Sequence, residues 1–539
     1  MNTSHPFSPP SRRDFLRQSS CAAIGVSGLV NALAMMRLLT AAMAQGSQAP
    51  GYKALVCIFL QGGHDANNLL VPAGQRATDP LRADYETGRG ILALSDDSLH
   101  RISIPATTTA FVKHHGNLIP PMGLHPAAGS LATLFNAGKL AFVCNVGTLA
   151  YPIPTRLDLI NRTVPLPPQL FSHEDQQNQW QSSIADRPFG SGWGGRTADL
   201  LHASYNSSAA SKVSMSISLA GINSFQVGTA GDVLQYSISP AGSSSLAGFD
   251  DVPGDGNPYD GALDPEGSYK TTDEAKRLKG LDDIMRLTHD NLHEESYSRV
   301  VARARATEGI VGAAFTAAAA SGIDFDGAFA GSATYLGDQL KTIAKLIASR
   351  AVLGNNRQIF FCRDYGYDLH QDHLSAHTKL LSELSGALQA FHNVLQAAGA
   401  WDDVTTFTAS DFNRTLTPNS PHPLKGGSDH AWGSHVMVMG GSVRGGDLYG
   451  HFPSLKTGAA VGSIDTKSYR GEWIPDISVD QYSAVLARWM GAGSSELETI
   501  FPNLSRFDDP WAVASTIAPV AKTVESDGQF REELVRQAG

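Results

Sequence analysis

Residues 54–60 read ALVCIFL, seven apolar positions in a row, and Gln61-Gly62-Gly63-His64-Asp65 breaks the run at once. A strand with one face in water alternates apolar and polar residues. A strand that is apolar throughout must be covered on both faces, as in a parallel sheet flanked by helices. The runs 140–146 (LAFVCNV), 358–362 (QIFFC), 404–408 (VTTFT) and 436–439 (VMVM) repeat the pattern, whereas 213–219 (VSMSISL) alternates and reads as an edge or outer strand. Helical patterns lie between these runs, at 126–137, 272–308, 333–349 and 375–398. In the last, Leu380, Leu384, Leu388, Phe391 and Leu395 recur at spacings of three and four, which places them on one face. Strands alternating with helices predict a doubly wound α/β fold, a mostly parallel sheet with helices on both faces. Residues 241–268, rich in Gly, Ser, Asp and Pro, read as a loop insertion, and 85–120 and 147–170 as irregular. No repeat or heptad divides the chain, so 45–539 reads as a single domain with insertions.

The first 44 residues read differently. SRRDFLRQ at 11–18 precedes an apolar, small-residue segment at 21–36, and Ala42-Met43-Ala44 offers a cleavage site. Arg12-Arg13 followed by Asp14, Phe15 and Leu16 resembles a twin-arginine signal. The segment is short and interrupted by Asn31 and Arg37, which speaks against a spanning helix. The expectation is a cleaved leader, 1–44, and a periplasmic or secreted product without stable membrane insertion. That route carries folded proteins, which suits a chain that loads a metal before export. The formal net charge is −10, and the leader holds four Arg and one Asp, so its removal takes away +3 and leaves about −13. No basic stripe remains, which argues against nucleic acid as a partner. Beyond the leader stand Cys57, Cys144 and Cys362, each inside a strand-like run. An odd count without close spacing predicts buried thiols, not disulfides.

Acids and histidines gather where the apolar runs stop. Asp65 follows the first run, as a metal ligand or as an Asx-turn residue. Asp368 and His370 sit in DYGYDLHQDH, with His373 and His377 nearby, as ligands or as a helix start with solvated histidines. Asp411 ends VTTFTAS, and Asp429, His430 and His435 follow within GGSDHAWGSH. Several segments delivering oxygen and nitrogen ligands to strand ends predict a metal or anion site. Ser172, in LFSHEDQQNQW, is either a nucleophile or the N-cap of the next helix, with Asp175 three residues on as in a capping box. Arg414 either holds anionic substrate oxygens or forms a structural ion pair. There is no G-x-S-x-G elbow, P-loop or HExxH, and the G-x-G-x-x-G at Gly190, Gly192 and Gly195 does not follow a strand.

The leader, FLQGGHDANNLLVP, GLHP, SHEDQQNQW with SGWGGR, GYDLHQDH, SDFNRT, GSDHAWGSH and MGGSVRGGDLYG occur in that order. Over residues 51–505 the chain resembles an exported bacterial family known as domain of unknown function 1501 (DUF1501). That family is similar in layout to the alkaline phosphatase and sulfatase superfamily. The resemblance implies an alkaline-phosphatase-like sheet, two divalent metals and a Ser, Thr or modified Cys nucleophile. It implies metal roles for Asp65, Asp368, His370, Asp411 and His430, and loosely a nucleophile position for Ser172. Where the superfamily shows Asp-His after its strand, Phe412 follows Asp411, so Asp429 or His435 must substitute or one metal is lost. The expected function is an exported hydrolase of phosphate or sulfate esters. It would use one or two divalent ions (Zn, Ca, Mg or Mn) and act on an anionic small-molecule or polysaccharide ester. The alternative is a non-catalytic cell-envelope binding or assembly protein that keeps the fold and holds a polysaccharide or an exported protein partner.

Overall fold

The computed structural model describes residues 51–517 apart from 117, 207–210, 212, 230–232, 241–261, 265–267, 286, 288–306 and 423. The leader and most of the 241–268 segment therefore lie outside the described residues. Twelve strands are described: β1 (Lys53–Leu60), β2 (Leu70–Pro72), β3 (His100–Ile102), β4 (Met122–Leu124), β5 (Leu140–Gly147), β6 (Ser216–Ser218), β7 (Tyr236–Ser237), β8 (Arg357–Asp364), β9 (Val404–Ser410), β10 (Ser434–Gly440), β11 (Leu448–Gly450) and β12 (Ile477–Ser478). The helices used below are α1 (Pro80–Arg89), α2 (Gly129–Asn136), α3 (His173–Ser182), α4 (Trp193–Tyr205), α5 (Asp273–Met285), α6 (Tyr335–Ala348), α7 (His373–Ala397) and α8 (Val479–Met490). The helical pattern at 272–308 becomes α5 at its start, and much of the remainder lies outside the described residues.

Nine strands form one mixed, mostly parallel sheet in the order β11-β5-β10-β9-β1-β8-β6-β7, with β12 also paired to β5. At its centre β1 runs parallel to β8 on one side and β9 on the other, in register along nearly its whole length. One strand departs from the parallel expectation: β10 is antiparallel to both β9 and β5. The apolar run at 436–439 reports burial on both faces, and burial alone does not fix direction. The alternating 213–219 segment supplies β6, one strand in from the edge formed by β7.

The continuous apolar runs follow from two cores. Ala54, Val56, Ile58 and Leu60 of β1 pack into one, with Phe360 and Cys362 of β8 and residues of α2, α6 and α7. Leu55, Cys57 and Phe59 pack into the other, with Ile359 and Phe361 and residues of α4 and α8. The period of two persists, but both phases are apolar because each face carries helices. Leu384, Leu388, Phe391 and Leu395 of α7 lie in the first core, and Leu380 packs at its edge. The three cysteines are free and buried.

Polar chemistry is thereby displaced to the strand ends. Beyond β1 the backbone turns through Gly62 (φ +117°) and Gly63 (φ +87°), a region that side chains rarely adopt. A Cβ on Gly62 would stand 2.4 Å from the Asp368 nitrogen, so the loops after β1 and β8 touch only because this residue is glycine. Gly62→Ala should lower stability in urea by at least about 1 kcal/mol, through positive-φ strain and this clash.

Candidate metal centre at the strand ends

Because β1, β8 and β9 are parallel, their carboxyl ends share one side of the sheet. Strand β8 lies on one side of β1 and β9 on the other, the kind of switch point at which open α/β sheets gather ligands. The antiparallel β10 begins at that same side, so the 429–433 segment before it joins the cluster. The N-terminus of α3 completes it.

Three imidazoles converge here, and each has its Nδ1 engaged by an acceptor. His173 Nδ1 lies 2.6 Å from Asp411 Oδ2, His370 Nδ1 2.8 Å from Asp429 Oδ1, and His430 Nδ1 2.6 Å from the Phe171 carbonyl. An acceptor holds the ring proton on Nδ1 and leaves the Nε2 lone pair facing outward. All three Nε2 atoms face Asp368. His370 Nε2 is 3.0 Å and His430 Nε2 3.4 Å from Asp368 Oδ1, and His173 Nε2 is 3.5 Å from Oδ2. The His370 and His430 Nε2 atoms stand 3.0 Å apart. Two lone pairs and a carboxylate at such separations repel unless a cation or a shared proton lies between them. Ligands about 2.0–2.1 Å from a tetrahedral ion stand about 3.3–3.4 Å apart, and the separations from Asp368 and between His370 and His430 run from 3.0 to 3.5 Å. His173, Asp368 and His430 each bring one ligand atom within 4.8 Å of the others. The point is open: the Asp368 and His370 side chains are 46% and 44% exposed.

The partners behind these ligands are buried or well held. Asp411 is fully buried and also accepts from the Gly62 N–H at 3.2 Å and Gln177 Nε2 at 2.9 Å. Its hydrogen bond pushes the His173 pKa upward, with burial opposing. His430 moves the other way, chiefly because burial disfavours its charge. For Asp429, burial works against ionisation, but hydrogen bonds from Arg470, Asn419 and His370 outweigh it and hold the carboxyl at about 2. Phe171 takes φ +73° where its carbonyl meets His430, strain of the kind that collects at functional sites. Phe412 is buried and stacks on His430 at 4.5 Å between ring centres and on His173 at 4.8 Å. It supplies an apolar wall against which both imidazole rings rest.

The expected residues do not all meet. Asp368, His370 and His430 stand at the point itself, whereas Asp411 and Asp429 stand one step behind, as orienting acceptors for His173 and His370. Asp65 is not there: it is fully buried, paired with Arg89 and 2.6 Å from His373 Nε2. Burial opposes its charge, but Arg89 and His373 prevail and hold its carboxyl well below the usual range. His435 lies inside β10, accepts from the Asn145 N–H at 3.2 Å and stacks on Phe452, and burial depresses its pKa to about 3. Its Nε2 is buried and without a partner. Arg414 has no exposed side-chain surface. Its fork is spent on Asp368 at 2.8 Å, the Gly62 carbonyl at 3.3 Å and the Ser428 carbonyl, so it holds the site together and does not face a substrate. Ser172 is the N-cap residue of α3, but its hydroxyl donates to Asp175 Oδ2 at 2.7 Å and makes no bond to the helix backbone.

Sequence reasoning did not single out His173, although it adjoins Ser172, nor the Phe171 carbonyl, Arg470 and Arg89. Only His173 had a visible signal, a histidine at the start of a predicted helix in a loop between strands. Arg470 reaches Asp429 from a distant loop with no local mark of that role.

No curated protein matches the chain. The sequence model of a family described as "Protein of unknown function (DUF1501)" matches residues 52–468, well over half of the chain and every residue of the candidate centre except Arg470. The chain therefore belongs to the DUF1501 family.

Proposed function

We propose that this protein is an exported, metal-dependent hydrolase of phosphate or sulfate esters, working from the open centre of His173, Asp368, His370 and His430. The observation that carries the reading is the set of three Nε2 atoms turned toward one exposed carboxylate, each by an acceptor on its own Nδ1. Such outer partners fix the tautomer and raise ligand basicity, as around known metal sites. A divalent ion held there would supply Lewis acidity toward an ester oxygen and a lowered pKa for attacking water. Nitrogen-rich ligation favours zinc or a similar borderline ion over calcium or magnesium. Arg470, about one-third exposed and paired with Asp429, is the cation this reading assigns to an anionic substrate oxygen. The Ser172 hydroxyl already points its proton at the Asp175 carboxylate, which could receive that proton if the serine attacked.

The alkaline-phosphatase-like layout belongs to this reading and is supported by the strand-end position of the centre. With Asp65 held by Arg89 and Phe412 in a ligand's place, one ion at the open point fits better than a bridged pair. Export through the twin-arginine route rests on the leader sequence. No described helix is long and apolar enough to cross a membrane. Phe412 in a ligand's place favours the second reading, a binding protein of the cell envelope that holds an anionic polysaccharide or an exported partner without turnover.

Purified chain should carry about one zinc-class ion at this point, with hydrolysis across a panel of phosphate and sulfate monoesters. His430→Ala and Asp368→Ala should each lose that ion and the activity. Metal retained at full stoichiometry in both would defeat the assignment, and metal without turnover would favour the binding role. Asp411→Asn should weaken metal affinity about 10–100-fold, because its amide leaves one acceptor oxygen for the three donors that Asp411 serves, His173 among them. Affinity should also fall with acidity. His173 binds a proton above the usual histidine range, so protons compete for its Nε2 from neutral pH downward. Isothermal titration at stepped pH should show roughly a tenfold loss per pH unit for each proton displaced.

A further inference from the structure

A second group lies inside the molecule and shares no residue with the open centre. Asp65 Oδ2 takes the Arg89 guanidinium and His373 Nε2, whereas Asp65 Oδ1 is buried and meets no donor. Arg89 is committed elsewhere as well, to Asn68 Oδ1 at 2.8 Å and the Thr415 and Leu416 carbonyls at 2.9 and 3.1 Å. One turn along α7 from His373, His377 is buried with neither ring nitrogen partnered. His64 Nε2 and His125 Nε2 are buried and unpartnered too. Buried polar atoms in folded proteins almost always have partners, so five orphans around one aspartate call for something they share.

Their geometry suits an ion. Ligand atoms of Asp65, His373 and His377 lie within 4.8 Å of one another, but His373 Nε2 is already 2.6 Å from Asp65 Oδ2, so the third ligand falls to the unpartnered Nε2 of His64. The His377 ring centre is 5.6 Å from that of His64 and 5.4 Å from that of His373. Two imidazoles binding one tetrahedral ion at about 2.1 Å place their ring centres about 5.3 Å apart. His125 plays another part. Its Nδ1 accepts from the Ala127 N–H at 3.0 Å, so its proton sits on Nε2, which can donate but not ligate.

We propose that Asp65 Oδ1, His64 Nε2 and His377 hold a buried divalent transition-metal ion, with His125 as hydrogen-bond donor to the ion's remaining ligand. This ion would tie the end of β1 to α7 beneath the open centre, as a structural clasp without access to substrate. Arg89 already balances Asp65, so the ligand set has no surplus negative charge and only one free carboxylate oxygen. Calcium and magnesium, which need several oxygens, gain little there, whereas zinc or iron(II) gain imidazole bonds. The proposal stands whether or not the open centre is catalytic.

The test uses the full chain carrying Asp368→Ala and His430→Ala, which removes the open centre. After purification with zinc and dialysis against EDTA, it should retain about one ion per chain by mass spectrometry, released only on unfolding. Adding His377→Phe should abolish that ion. If this variant does not fold, the same double variant refolded with cobalt(II) should show visible absorption bands of a low-symmetry nitrogen–oxygen site. A folded double variant that holds no EDTA-resistant ion and develops no cobalt bands overturns the proposal, and buried water then serves these groups.

Discussion

The parallel pairing of β9, β1 and β8, with both faces of each strand buried, is the constraint on which the rest depends. Strands covered on both faces leave little room for acids along their length. None of the three carries an acid along its length before the end at which it leaves the sheet, and parallel strands leave on the same side. The close approach of Gly62 to Asp368 then brings the loops after β1 and β8 into contact. A surface centre assembled from segments hundreds of residues apart in the chain follows from this arrangement.

The same constraint explains why the strand-end groups divide in two. Groups nearest the sheet are roofed by later loops and must be neutralised inside. Asp65 is paired with Arg89, which also ties down the 415–416 carbonyls, and with His373 at the start of α7. From there Ser428 links the inner group to the outer one: its hydroxyl lies 3.3 Å from His373 Nδ1, and its carbonyl accepts from Arg414, which holds Asp368. Removing one member of a buried ion pair is strongly destabilising, so this inner scaffold resists change in a way the open ligands do not.

Much of the architecture was legible in the sequence. Continuous apolar runs located β1, β5, β8, β9 and β10, and a three-four spacing located α7, because burial on two faces or one writes itself into local composition. The direction of β10 was not legible, since a strand buried on both faces looks the same either way. At the site, Asp368, His370 and His430 were legible as ligand types at strand ends. The roles of Asp411 and Asp429 were not, because a carboxylate that orients a histidine and one that binds metal carry the same local signal. That Asp65 stands apart from the open centre was not legible for a related reason. Its partner Arg89 ends a helix in a stretch expected to be irregular, and only the folded chain brings them together. Phe412 was visible as a departure from a ligand pattern, but its stacking on His173 and His430 required the fold.

The central claim is that three Nδ1–acceptor bonds turn three Nε2 lone pairs onto one cation beside Asp368. The most direct measurement is anomalous X-ray diffraction at the zinc edge from crystals of the zinc-loaded chain. The account predicts a peak about 2.0–2.2 Å from Nε2 of His173, His370 and His430 and from an Asp368 oxygen. Absence of that peak, with His370 found doubly protonated between Asp429 and Asp368, would contradict it, because a proton would then occupy the place assigned to the metal.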